Sequence, residues 1–205
     1  MLQVFWEVKS LGEINFGVEE MDALKELGNI GVAHAATSLS ALLGKAIEMS
    51  VPDVRIVKIS EVHECFDEKV VTAVVTSLED LENGRSGYLF ISFPDAKKLA
   101  NLLTNDQSLL NSTLMEIGNI LSSSFCNAIA DMLGIMLIPS PPSLAEDLSI
   151  AILEAIIAQI ADRGDYLIVF ETELKEMENA IEILIILIPD ENFLGYIIKM
   201  MGMLG

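Results

Sequence analysis

The chain writes one short phrase twice. Residues 26–30 read Glu-Leu-Gly-Asn-Ile and residues 116–120 read Glu-Ile-Gly-Asn-Ile, which places Glu26 and Glu116 ninety positions apart. Held at that offset, Leu24 meets Leu114, Gly28 meets Gly118, Asn29 meets Asn119, Ile30 meets Ile120, Gly44 meets Gly134 and Pro52 meets Pro142. The offset then drifts by a few residues, yet TSLEDLEN from Thr76 still matches TELKEMEN from Thr172, and FPDAKKLANLL matches IPDENFLGYII. One internal duplication, of about residues 22–103 and 112–198, accounts for all of these matches. Two repeats are too few for a solenoid. The expectation is a single domain over residues 1–205, built from repeats of about 18–105 and 106–205, with equivalent elements packed in pseudo-twofold fashion about one core.

Each repeat opens with a long helix by its apolar spacing. Leu24, Leu27, Gly31, Ala35, Ser38 and Leu42 return at helical intervals between Val18 and Leu43, and Leu114, Ile117, Leu121, Phe125, Ile129 and Met132 do so between Ser112 and Leu133. Gly44 and Gly134 stand where a left-handed residue would end each helix. Strands are expected for DVRIVKI, KVVTAVVTSL and GYLFISF in the first repeat and for DYLIVFETEL and AIEILIILI in the second. Asn83-Gly84 suggests a hairpin turn between two of them. Each repeat closes with an amphipathic helix, Pro94 to Leu103 and Pro189 to Met201, with proline in the first turn. The repeats differ where the first has VPDVRIVKI, because the second has SLAEDLSIAILEAIIAQIADRG, whose composition predicts an extra helix from about Leu144 to Ala161.

With 31 acidic against 12 basic residues, the formal charge is −19. Such a chain repels phosphate backbones and offers no basic stripe, so nucleic acid is a poor partner. The same field favours a partner whose working surface carries a lysine or a bound cation. Glu154 and Gln159 interrupt the longest apolar region, so no run reaches the ~20 residues of a membrane-spanning helix. The first ten residues, MLQVFWEVKS, have Glu7 inside what would be the apolar part of a signal peptide. Cys65 and Cys126 lack the spacing of a metal or redox pair and read as small apolar residues in a reduced, cytoplasmic chain. His34 and His63 have no spaced carboxylate or cysteine set around them and read as structural or surface residues.

Glu26 and Asn29 are three apart on a helix and share a face, as do Glu116 and Asn119. A single Glu-x-x-Asn is ordinary for a solvated helix. Here most other polar positions of the two helices have diverged while this pair has not. The full pattern, Asp22-x3-Glu26-x2-Asn29-x22-Pro52 and Ser112-x3-Glu116-x2-Asn119-x22-Pro142, resembles the signature of the CheC, CheX and FliY family of chemotaxis phosphatases. Two complete motifs, with no appended flagellar-switch domain, bring it nearest the CheC branch.

The resemblance implies an α+β fold in which an antiparallel β-sheet packs with two long motif-bearing helices. It implies hydrolysis of the aspartyl phosphate of the response regulator CheY. A carboxamide can orient an attacking water with its oxygen and amide hydrogens, the role that falls to Asn29 and Asn119. Glu26 and Glu116 would contact the regulator's lysine. The metal ion would come with CheY, leaving this chain with no cofactor of its own. Asp22 and Ser112 are expected to cap or brace the helix starts, and Pro52 and Pro142 to shape the turn that follows. Neither cysteine is followed by the arginine-bearing loop of a cysteine phosphatase, and no P-loop occurs.

The family also binds CheD, a deamidase acting on receptor helices. Ala155, Ala158 and Gln159 of the extra helix could imitate such a helix, while the isoleucines and leucines between Ile150 and Ile160 equally describe a buried core helix. The alternative to an enzyme is a non-catalytic chemotaxis or flagellar-switch module that mainly sequesters CheD. The FliM middle domain, which shares the fold, lacks the Glu and Asn pairs.

Overall fold

A computed structural model of the chain describes residues 17–66, 69–101, 106–160, 165–176 and 179–201. The order is α1 (Val18–Leu43), β1 (Glu48–Met49), β2 (Asp53–Lys58), α2 (Val62–Cys65), β3 (Val70–Asp80), β4 (Ser86–Phe93), α3 (Ala96–Asn101), α4 (Leu110–Leu133), β5 (Leu137–Pro139), β6 (Ser143–Leu148), α5 (Ser149–Ile160), β7 (Tyr166–Glu176), β8 (Asn179–Pro189) and α6 (Glu191–Met201). The sequence α-β-β-α-β-β-α therefore occurs twice. The first-ten-residue reading, the Leu102–Leu103 end of one expected helix and Ala161 of another lie outside the described residues.

All eight strands join one antiparallel sheet, ordered β1-β7-β8-β4-β3-β5, with β2 also on β7 and β6 also on β3. The two hairpins, β3–β4 and β7–β8, meet at the centre through β4 and β8, where Leu89 faces Leu187 and Phe90 faces Ile186. The short leading strands change sides: β1 and β2 pair with β7 of the later set, and β5 and β6 pair with β3 of the earlier one.

Both faces of this sheet are covered, which explains why its central strands read as continuous apolar runs rather than alternating ones. Leu89, Ile91 and Phe93 of β4, with Ile168 and Phe170 of β7, join the core under α1, α3, α4 and α6. Phe90, Leu167, Val169 and Ile186 point the other way and meet Val62 of α2 and Ile150, Leu153, Ile156 and Ile160 of α5.

Helix α1 has the expected bounds, and Gly44 ends it at φ 61°, ψ 25°. Its apolar stripe is corrected at the far end: Leu39 is fully buried while Leu42 is 39% exposed and Ser38 half-buried, because 3.6-residue periodicity carries the stripe past position 38. Met132 is likewise only half-buried. Prolines 94 and 189 do not open helices. Pro189 closes β8 opposite Gly87, and Asp190 caps α6 instead, its Oδ1 accepting the Phe193 N–H at 2.7 Å.

The expected extra helix from Leu144 is also corrected. Residues 143–148 form strand β6, laid against β3, and the helix begins only at Ser149. Its place in the order is taken in the first half by the four-residue α2. Around Asn83-Gly84 the chain makes a wider turn than a two-residue hairpin. Buried Asp80 gathers the Glu82 N–H at 3.1 Å, Asn83 Nδ2 at 3.2 Å and Arg85 Nε at 2.6 Å. Burial pulls the Asp80 carboxyl upward, but these hydrogen bonds and the Arg85 charge more than offset it and hold the group below the usual carboxylate range. The Arg85 guanidinium lies 3.6 Å over the Tyr196 ring, and the Tyr196 hydroxyl donates to the Leu133 carbonyl, tying this turn to α6 and α4.

Candidate functional site

Helices α1 and α4 pack against each other and against the same sheet face. Small residues allow this closeness. A Cβ on Gly31 would stand 2.5 Å from the Phe125 ring, and Ser124 Oγ donates to Ser38 Oγ at 3.0 Å across the pair. The glycine inside each repeated phrase faces the sheet. A Cβ on Gly28 would come within 2.8 Å of Phe170 and 2.9 Å of Pro52 Cγ; one on Gly118 would come within 2.5 Å of Val74 Cγ2. With Leu27 and Gly28, or Ile117 and Gly118, turned inward, the flanking carboxylate and carboxamide fall on the outer ridge.

The four candidate side chains do not share one environment. Glu26, Glu116 and Asn119 are exposed. Asn29 is half-buried, and its Oδ1 is shielded from solvent and accepts no hydrogen bond from the described residues. Leaving such an acceptor unmatched costs on the order of 1–3 kcal/mol. Asp22 does not cap α1, which begins four residues earlier after Gly17. It is exposed in the second turn and meets Lys25 Nζ at 3.4 Å. Ser112 lies in the first turn of α4 and braces it, Oγ donating to the Leu109 carbonyl at 2.8 Å.

The two signature prolines occupy matched breaks in the outer strands. Between the pairs Met49↔Leu174 and Asp53↔Glu171, residues 50–52 oppose residues 172 and 173; between Pro139↔Leu78 and Ser143↔Val75, residues 140–142 oppose residues 76 and 77. Each is a bulge carrying one extra residue, where a proline that lacks the ladder donor can sit. Pro52 is buried and Pro142 half-buried.

Each bulge opens on a serine that sequence reasoning passed over. Ser50 donates its N–H to the Glu173 carbonyl and takes the Glu173 N–H on Oγ, both at 2.9 Å. Ser140 does the same with Ser77, at 2.8 and 3.1 Å. The ninety-residue offset that pairs the prolines pairs these serines too.

Other reactive groups lie apart. Cys126 is buried in α4, its thiol donating to the Leu137 carbonyl at 3.5 Å, and burial pushes it up to about 12. A thiol held protonated to that degree is no nucleophile near neutrality. Cys65 is half-buried on the opposite sheet face, and His63 is exposed there with Nε2 2.9 Å from Glu154 Oε1. His34 is exposed on α1. Ala155, Ala158 and Gln159 are exposed on α5, whose opposite side, Ile152, Leu153, Ile156 and Ile160, is buried as the core-helix reading expects. Gln159 Oε1 accepts the Tyr88 hydroxyl at 2.9 Å.

The model of the CheC-like family matches this chain twice, over residues 19–56 and 111–146. Each match runs from a motif helix through its bulge, so both stretches carry the geometry just described. Over these two stretches the chain is similar to the CheC-like family. Over 176 residues it is 27% identical to the CheY-P phosphatase CheC of Bacillus subtilis, covering 80% of this chain and 84% of that one. A shorter stretch of 97 residues is 32% identical to the flagellar motor switch phosphatase FliY of the same organism, covering 47% of this chain and 24% of FliY. Among solved structures, Thermotoga maritima FliY superposes with a TM-score of 0.69 at 24% identity, over 92% of this chain and 98% of that one. The FliM middle domain of H. pylori superposes at 0.59 with 13% identity, over 90% and 99%. At these identities the two structures speak for the CheC-like fold alone. Among the described residues no helix is long and apolar enough to cross a membrane.

Proposed function

We propose that this CheC-like protein hydrolyses the aspartyl phosphate of phosphorylated CheY. The observation that carries the reading is the Glu116–Asn119 ridge: a carboxylate and a carboxamide one helical turn apart, both exposed, on a helix packed firmly enough to present them rigidly. An acyl phosphate already has a good leaving group. What it lacks is a water held in line with the P–O bond. Asn119 supplies this by accepting a water hydrogen on Oδ1 and donating from Nδ2, while Glu116 pairs with a lysine of the docked regulator and fixes the register. Charge on the transferring phosphoryl group is met by the metal ion that CheY brings. Asn29 and Glu26 form a second site of the same kind, which opens when the Asn29 carboxamide rotates toward solvent. The supports are the CheY-P phosphatase relative at 27% identity and the matching motif in both helices.

The wider reading is one cytoplasmic domain descended from a duplication, with no cofactor of its own. CheD docks on the outward face of α5 through Ala155, Ala158 and Gln159. The supporting observation is that these three side chains are exposed while the rest of the helix is anchored in the core. If substituting them with bulky charged residues leaves CheD affinity intact in a folded protein, the docking reading is wrong. The test of the main reading is phosphate release from phosphorylated CheY. The double variant Asn29→Ala/Asn119→Ala should lose roughly a hundredfold in rate. Unchanged release would turn the protein into a binding module that sequesters CheD.

A further inference from the structure

We propose that Ser50 and Ser140 are positioning residues for the two sites, an inference that rests on the phosphatase reading above. Both bulges insert three residues opposite two, both begin with serine and both end with the signature proline. A bulge with a lost ladder bond is free to slide or flatten. Here the serine closes it by using its backbone N–H and side-chain oxygen on the carbonyl and amide of one residue, Glu173 in the first case and Ser77 in the second. A buried threonine stands beside each closure. Thr172 Oγ1 donates to the Ser50 carbonyl at 2.7 Å, locking the first bulge from the sheet side. Thr76 Oγ1 donates instead to Ser122 Oγ at 3.2 Å, on α4 one turn beyond Asn119.

Two chains of contact follow. In the first, Ser50 fixes the bulge, the bulge seats Pro52, and Pro52 with Phe170 fills the space beside Gly28, whose next residue is Asn29. In the second, Ser140 fixes Ser77, the neighbouring Thr76 holds Ser122, and Val74 bears on Gly118, whose next residue is Asn119. In both, the serine sets the height of a motif helix over the sheet without touching anything that reacts. Both serines are only half-buried and lie outside the repeated helical phrase, and what they share is this closure of the bulge.

The experiment isolates one site at a time. Ser140→Ala and Ser140→Thr are placed on an Asn29→Ala background, and Ser50→Ala and Ser50→Thr on an Asn119→Ala background. Phosphate release from phosphorylated CheY gives kcat and KM. The alanine changes should lower kcat at least fivefold with KM within twofold, and threonine, which keeps the hydroxyl, should restore it. Side-chain amide NMR supplies an arm independent of activity and of folding losses. In otherwise wild-type protein Ser50→Ala should move the Asn29 Nδ2 resonance and leave that of Asn119 in place, and Ser140→Ala the reverse. Alanine variants with unchanged kcat, or with unmoved asparagine resonances in a folded protein, overturn the proposal. Absence of release from the parent protein overturns the phosphatase reading instead, and the resonances still decide whether the serines position the asparagines.

Discussion

The two motif helices carry the same residues at the same spacing and present them differently. On α4, Glu116 and Asn119 both stand in solvent; on α1, Glu26 does, but Asn29 is drawn inward and its Oδ1 is covered. The surfaces under the helices differ too: the atoms nearest a Gly28 Cβ belong to Phe170 and Pro52, and those nearest a Gly118 Cβ belong to Val74. A motif repeated in sequence is therefore not a site repeated in structure.

The sharpest way to break this comparison is to remove the carboxamides singly. Asn119→Ala should cost most of the phosphate release, about tenfold or more, since the open site carries most of the flux. Asn29→Ala should cost only about a tenth of the rate or less. Equal losses would mean that Asn29 swings out readily and that its burial has no kinetic weight.

The glycines come next. Alanine at either position gains roughly 1 kcal/mol of helix propensity, and the crowding must be set against that. Around Gly28 the nearest atoms are Phe170 Cδ1 at 2.8 Å and Pro52 Cγ at 2.9 Å, both farther off than the nearest atom at Gly118. Around Gly118, both Val74 Cβ at 2.8 Å and Cγ2 at 2.5 Å are too close, and a β-branched side chain in a central strand has nowhere to turn. Gly118→Ala should destabilise by about 2–3 kcal/mol and Gly28→Ala by about 1 kcal/mol, read from urea midpoints. Adding Val74→Ala should recover most of the Gly118→Ala loss; if it does not, the contact is not the cause.

The prolines sharpen the same contrast at smaller scale. Pro52 is buried against α1 and Pro142 half-buried. Replacing Pro52 by alanine should cost about 1–2 kcal/mol through lost packing, and the same change at Pro142 under about 1 kcal/mol, both in thermal or urea unfolding.

How much of this could be read from the chain depends on the range of the forces involved. Helix α1 was legible to its end residues because its apolar rhythm and Gly44 are local signals. The five long strands were legible because β-branched runs bounded by polar turns have few alternatives. Residues 144–148 were misread as helix because Leu-Ala-Glu-Asp-Leu has good helix formers and no alternation; pairing with β3 overrides that preference. The two- and three-residue strands β1 and β5 have no periodicity to detect. At the site, the Glu–Asn pairing followed from helix geometry alone. The covering of Asn29 Oδ1 did not, since helix geometry gives the face a side chain lies on and not how far the packed fold shields it. The bulge serines had a signal in the offset of ninety, but Ser-x-Pro looks like an ordinary turn until the register of both flanking pairs is known.

The smallest difference between the helices lies on their buried sides and concerns pH. Cys126 on α4 corresponds by offset to Ala36 on α1. In the folded protein the Cys126 thiol is pushed up to about 12 from an ordinary value of 9.0, by burial. The unfolded chain therefore loses this proton at lower pH than the native one. Below about pH 9 both states hold it and stability is untouched; from about 9 toward 12 the unfolded state gains the charge and native stability falls. Wild type should thus unfold at a lower urea concentration at pH 10 than at pH 8, and Cys126→Ala should lose the part of that shift that belongs to the thiol. The variant should also lack the slow thiol modification that wild type shows only as it opens. If Cys126→Ala keeps the whole alkaline slope, other groups set it and the two helices are alike on their inner faces.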